Sequence, residues 1–168
     1  MMIRKATEND LAAAGAIYDA AREYMREAGN PYQWNDDYPT ARDVFGDISD
    51  GSSYVCEDNG EVVAAFHFHI GSDKTYEKIY GGKWEGGTEY GVIHRIAVKY
   101  HGRKIADFCF SECARLSGDL RIDTHKDNVP MQKCLLRNGF SERGKVYLEN
   151  GEERIAFQKI SAKTGDEK

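Results

Sequence analysis

The chain has 168 residues, 40% of them hydrophobic and 30% charged, with a formal net charge of −5. That length fits one domain around one core, and no apolar run approaches the ~20 residues of a membrane span. An acidic chain lacks the basic face that general nucleic-acid binding needs. The charged stretch over residues 1–10 carries no apolar signal segment, so a cytoplasmic protein is expected.

Residues 2–6 read as a short first strand. Thr7 then offers an N-cap, with Asp10 three residues on, to a helix over 11–28. In it Leu11, Ile17, Tyr18, Ala21, Tyr24 and Met25 recur at roughly helical spacing. Gly29-Asn30-Pro31 stops that helix. A loop over 31–39 is dense in Tyr32, Gln33, Trp34 and Tyr38, and a second helix is expected over 40–48. Two strands, 53–58 and 61–70, meet at Asn59-Gly60, the strongest short hairpin signal. A connection rich in glycine and aromatic residues covers 71–90. Then come a buried strand over 91–98, a helix over 104–116, a short strand over 120–123 and a helix over 128–137 ended by Asn138-Gly139. A hairpin of 140–148 and 153–160 closes the chain across Asn150-Gly151. The order β-α-α-β-β-β-α-β-α-β-β predicts an α+β fold, a mixed and mostly antiparallel central sheet flanked by helices. One domain is expected over 1–160, with a polar, disordered tail over 161–168. Cys56, Cys109, Cys113 and Cys134 form no Cys-x-x-Cys pair and read as free thiols.

The chemistry concentrates where Val92-Ile-His-Arg-Ile-Ala-Val98 runs into Lys99-Tyr-His-Gly-Arg-Lys-Ile-Ala106 and a helix. Such a turn aims free backbone N–H groups at one spot, and the helix dipole adds positive potential, which together suit a phosphate. Gly102 permits the turn and small Ala106 permits close approach. Taken alone, a strand-to-helix turn with one glycine is a weak signal. Further on, Asp123-Thr-His-Lys-Asp-Asn-Val-Pro-Met131 opens a helix that ends in Asn138-Gly-Phe140.

Together these pieces resemble the GNAT superfamily of N-acetyltransferases. The matching residues are Arg95–Val98, His101–Ala106, Asn128 and Gly139-Phe140. The resemblance implies acetyl-CoA as co-substrate and direct attack, in a ternary complex, by a primary amine of a small molecule or peptide. No metal is implied, and monomer and homodimer both stay open. Ile96, Ala97 and Val98 would pair with the pantetheine arm through backbone. His101, Gly102, Arg103, Lys104, Ile105 and Ala106 would hold the pyrophosphate. Asn128 would bond the pantetheine or the thioester's surroundings as well as cap its helix. Two residues depart from the pattern: His101 replaces the family's Arg or Gln, and Lys104 its middle glycine. Lys104 is expected in ordinary helical backbone with φ below zero, its ammonium free to reach a phosphate. The family's common acid, a Tyr four residues before Gly-Phe, is Leu135 here. Tyr147, Cys134 or water then remain as proton donors. The alternative reading is a non-catalytic acyl-CoA-binding sensor.

For the base, His67 and His69 share one strand face, opposite Phe66 and Phe68, and His94 lies on the expected neighbouring strand. A histidine suits proton transfer near neutrality. His67 and His69 also read as two metal ligands, though no third is fixed. The acceptor pocket is expected to use Gln33, Trp34, His67, His69, Tyr80 and Trp84. His125 is a weaker candidate beside the cofactor.

Overall fold

The computed structural model describes residues 1–35 and 37–161; residues 162–168 of the expected tail lie outside them. The elements follow the predicted order. They are β1 (Met2–Lys5), α1 (Leu11–Glu27), α2 (Ala41–Asp50), β2 (Ser53–Asp58), β3 (Glu61–Gly71), β4 (Tyr90–Val98), α3 (Ile105–Ser117), β5 (Asp119–Thr124), α4 (Val129–Arg137), β6 (Ser141–Tyr147) and β7 (Glu153–Ile160). Short 3-10 turns at Glu8–Asp10 and Lys74–Tyr76 complete them.

Local chemistry explains the boundaries. Thr7 N–H donates to the Asp10 carboxylate at 2.8 Å before α1. At α2 the Thr40 hydroxyl accepts from Asp43 N–H at 3.2 Å while Asp43 accepts from Thr40 N–H at 2.7 Å, a reciprocal cap. Asn59 and Gly60 both take positive φ, 50° and 80°, as a two-residue hairpin turn of the right twist demands. Asn128 caps α4 from outside, its Oδ1 accepting from Met131 N–H at 3.2 Å.

The sheet runs β1-β2-β3-β4-β5-β7-β6. β4 and β5 are parallel, and the other neighbouring pairs are antiparallel. Alternation along β3 sends Phe66 and Phe68 to one face, where they join Ile93, Phe110, Leu120 and Phe157 in a core with α3. Each such phenylalanine is worth about 1.5–3 kcal/mol of burial. Ala65 faces the other way, with Val55 and Ala97, under Ile17 and Tyr18 of α1 and Val44 of α2. A Cβ on Gly91 would lie 2.6 Å from Ser117 Cβ, so glycine is what lets the end of α3 close onto β4. Among the described residues no helix is long and apolar enough to cross a membrane.

Candidate active site

The site begins with a fault in the sheet. β4 and β5 pair only at Gly91–Leu120 and Val92–Arg121, and then the strands diverge. β4 also carries a bulge. His67 pairs with His94 and Ala65 with Ala97, so Phe66 alone faces both Arg95 and Ile96. Arg95 takes φ 56° to allow it. Past the bulge, Lys99 N–H donates to Val63 C=O at 2.8 Å. By alternation the N–H and C=O of Val98 point the opposite way, into the gap left by β5.

That gap is a cleft of about 450 Å³. Its walls include Ala21, Tyr24 and Met25 of α1, Ile96 to Val98 of β4, and Pro130, Met131 and Cys134 of α4. His101 and Ala106 line it at the turn into α3. Phe108 N–H makes the first helical bond, to Lys104 C=O at 3.1 Å, so the N–H groups of Ile105, Ala106 and Asp107 have no helical carbonyl to bond. The nearby Asp107 charge is met by Arg137 at 2.8 Å.

The turn corrects one expectation. Lys104 does not adopt helical backbone; it sits left-handed at φ 56°, after Gly102 at φ 78°. The reason is that Lys104 is the cap of α3 rather than part of its first turn, and the chain must reverse there. The family's glycine at this position suits that conformation, and lysine adopts it at a steric cost. Two neighbours offer only backbone: Arg103 lies over the Tyr100 ring at 4.4 Å, and Ile105 is buried in the core. His101 stacks on Tyr24 with ring centroids 3.9 Å apart, bridging the cleft mouth.

Of the expected acceptor residues, Gln33 and Trp34 line the cleft. Gln33 ties its loop to the far wall: its Oε1 accepts from Asn128 Nδ2 at 2.8 Å, Asn30 Nδ2 at 2.9 Å and Thr124 Oγ1 at 3.3 Å. Arg154 holds the Gln33 carbonyl at 3.1 Å and Glu152 at 3.0 Å.

Four other candidates lie elsewhere. Tyr80 bridges to Lys145 on β6, and Tyr147 is exposed, bonded to Glu153 at 3.1 Å and packed on Tyr80. Trp84 packs on Tyr76 and on the Arg121 guanidinium and donates its indole N–H to Tyr76 C=O. The cause is the path of the connection before β4. A Cβ on Gly82 would meet Arg143 O at 1.8 Å, so this loop lies flat against β6, away from the cleft. His125 is not a lining residue either; its Nδ1 accepts from Asp127 N–H at 3.0 Å.

His67, His69 and His94 do gather, and of these three only His94 lines the cleft. His67 Nε2 and His69 Nδ1 are 2.9 Å apart. Burial, and then the nearby His94, push His67 down to about 4, so it is neutral at physiological pH. Burial also lowers His69, helped by His67. His94 differs. Burial opposes its charge, yet the hydrogen bond to Asp73 and the charges of Asp123 and Asp73 prevail and raise it. Among the described residues no group of three or more His, Cys, Asp or Glu side chains is placed to hold a metal ion.

Among the cleft residues that were not sequence candidates are Tyr24, Tyr38, Arg95 and Asp123. Arg95 pairs with Asp47 of α2 and donates to the Tyr38 hydroxyl at 3.2 Å. Asp123 is the second-to-last residue of the short strand β5 and accepts from the Tyr76 hydroxyl at 2.7 Å. The only sequence signal for it was its place where β5 stops.

No protein-family model matches the chain, and no curated protein does. Solved structures do match. An acetyltransferase of the GNAT family from Streptococcus agalactiae 2603 is 32% identical, with a TM-score of 0.87 over 96% of each chain. A putative acetyltransferase from Staphylococcus aureus MU50 is 22% identical, with a TM-score of 0.67 over 95% of this chain and 99% of that one. A ribosomal-protein-alanine N-acetyltransferase from Brucella melitensis is 20% identical, with a TM-score of 0.62 over 96% of this chain and 100% of the other. The last two share the fold.

Proposed function

The chain belongs to the GNAT family of acetyltransferases, and on that premise we propose that it moves the acetyl group of acetyl-CoA to a primary amine of a small molecule or peptide by direct attack in a ternary complex. The observation that carries this reading is the half-open seam between β4 and β5, with the backbone of Val98 turned into it and the turn before α3 at its end.

The residues present fit the co-substrate. Ile96 and Val98 offer strand-like backbone groups to the amides of a pantetheine arm. The N–H groups of Ile105 and Ala106, after the left-handed Lys104, meet the pyrophosphate with the α3 dipole behind them. Asn128 gives one amide hydrogen to Gln33 and keeps the second for the arm. Acetyl-CoA supplies the thioester whose carbonyl is attacked. A backbone N–H between the bulge and Val98 receives the oxyanion. Tyr38, Trp34 and Asp123 wall the acceptor side, where an aromatic face and a carboxylate suit a cationic amine. His94 takes the proton that makes the amine nucleophilic. Cys134 lines the cleft, but burial pushes its thiol up and makes it a poor acid, which favours water as donor to the leaving thiolate.

The test mixes the protein with acetyl-CoA and a panel of primary amines and follows free CoA with a thiol reagent. Amine-dependent release is expected. Acetyl-CoA binding without release for any amine would make the chain a sensor and overturn the reading. His94→Ala should lower kcat roughly a hundredfold, the scale of one general base, with acetyl-CoA affinity retained.

A further inference from the structure

Asp73 does not line the cleft and sits in the connection before β4, yet among the described residues it makes the one hydrogen bond of the His94 ring. His94 Nε2 is 2.8 Å from Asp73 Oδ2. On the other side His94 Nδ1 is 4.0 Å from Asp123 Oδ2, beyond hydrogen-bond reach, and that oxygen already accepts from Tyr76. His94 and Asp123 line the cleft whereas Asp73 does not, so Nε2 is tied to a group outside the cleft and Nδ1 lies toward a residue that lines it.

An ionised carboxylate only accepts hydrogen bonds. Burial opposes the Asp73 charge, but the hydrogen bond with His94 and the other donors around it hold its carboxyl below the usual range. The hydrogen between the two groups therefore sits on His94 Nε2, and Nδ1 of the neutral ring keeps its lone pair. Asp73 is itself fixed: its Oδ1 accepts from Thr75 N–H at 2.9 Å, and its own N–H donates to the Tyr90 hydroxyl at 2.9 Å.

We infer that Asp73 is a positioning residue of the transfer reaction: it holds His94 in the tautomer with hydrogen on Nε2, which presents the Nδ1 lone pair to the acceptor amine. The inference rests on His94 being the base. In the step, Nδ1 takes one proton from the acceptor ammonium and becomes an imidazolium between Asp73 and Asp123. The freed amine lone pair forms the C–N bond and the C–S bond breaks. The second amine proton passes through water to the thiolate, and His94 returns its proton to solvent before the next turnover. The titratable and charged groups around the ring are Asp73 and Tyr76 from the connection, His67 and His69 from β3, and Asp123 from β5. With His67 neutral, the two carboxylates set the field.

The discriminating variant is Asp73→Asn. Thr75 N–H demands an acceptor, so the new Oδ1 stays with it and the amide NH2 turns to His94 Nε2. That donor forces hydrogen onto Nδ1 and removes the base's lone pair without removing the ring. The expected result in the full chain is a kcat fall of roughly a hundredfold or more, with KM for the amine and acetyl-CoA affinity within about threefold. The acid limb of kcat/KM should move to lower pH, because a group that raises His94 is gone. Nitrogen-15 NMR of the imidazole should read hydrogen on Nε2 in the wild type and on Nδ1 in the variant. Asp73→Glu, which keeps a carboxylate, should recover part of the loss. Wild-type kcat in Asp73→Asn, or a wild-type ring with hydrogen on Nδ1, overturns the inference. The NMR outcome decides it even if the variant fails to fold. Unchanged turnover in His94→Ala instead removes the base reading beneath it, and absence of amine-dependent CoA release in the wild type removes the enzymatic reading. The three failures are distinct.

Discussion

Replacing Lys104 with glycine separates what the turn before α3 does through backbone from what it does through charge. Lys104 sits at φ 56° with an exposed side chain. Left-handed backbone costs a residue with a Cβ about 1–2 kcal/mol. Glycine removes that cost but loosens the unfolded chain by about 0.4–1 kcal/mol. The net expectation for Lys104→Gly is a gain of roughly 0.5–1 kcal/mol, or ~1–4 °C in Tm for a domain of this size. Acetyl-CoA affinity should stay within about threefold, because an exposed ammonium contributes little through solvent, while the N–H groups of Ile105 and Ala106 remain. Urea unfolding by circular dichroism gives the first number, and calorimetric titration with acetyl-CoA gives the second. Loss of stability would refute the strained-turn argument. An affinity loss beyond tenfold would show that the ammonium, not the backbone, holds the pyrophosphate.

Two further outcomes follow from the same geometry. Ala106→Asp places charge and bulk at a lining position beside the free N–H groups of α3, and should abolish acetyl-CoA binding while circular dichroism stays native; retained affinity would move the phosphate site elsewhere. Asp10 is lowered by its hydrogen bonds with Arg4, against the opposing effect of burial. Its contribution is therefore present above the unfolded carboxylate value near 3.9 and fades as pH falls through the lower folded value. Asp10→Asn should cost about 1–3 kcal/mol at neutral pH, and its stability should fall less on acidification than that of the wild type. Parallel acid titrations of the urea midpoint test this, and an equal or larger acid loss in the variant would overturn it.

The element order was legible because each boundary has a local cause: the caps at Thr7, Thr40 and Asn128, and the Asn-Gly pairs at 59–60 and 150–151. The residues at Ile96 to Val98, His101, Ala106 and Asn128, which line the cleft, were legible through the resemblance to the family's pattern of strand, turn and helix. The backbone of Lys104 was not, since nothing in a Gly-Arg-Lys run announces a left-handed residue at its third position; the tertiary path of the chain decides it. Nor was the split of β4 from β5, because strand divergence is a property of pairing and not of either strand's residues. Tyr80 and Trp84 carried aromatic side chains that suited a pocket, but Gly82 presses their loop onto β6, and Tyr147, offered as a proton donor, lies at the exposed end of β6 itself. Asp73 escaped notice for the opposite reason. An acidic residue in a glycine-rich connection looks like solvated loop until β3 and β4 bring His94 against it.

A strand edge with free backbone groups is ordinarily where one protein molecule adds itself to another. Here such an edge lies in the interior, between β4 and β5, with Tyr24 and Met25 of α1 and Met131 and Cys134 of α4 on its flanks. The cleft along that edge is about 450 Å³, the scale of a small-molecule site. On the proposed reading, the guest that completes the sheet there is a slender chain of amides, paired to β4 as a neighbouring strand would be.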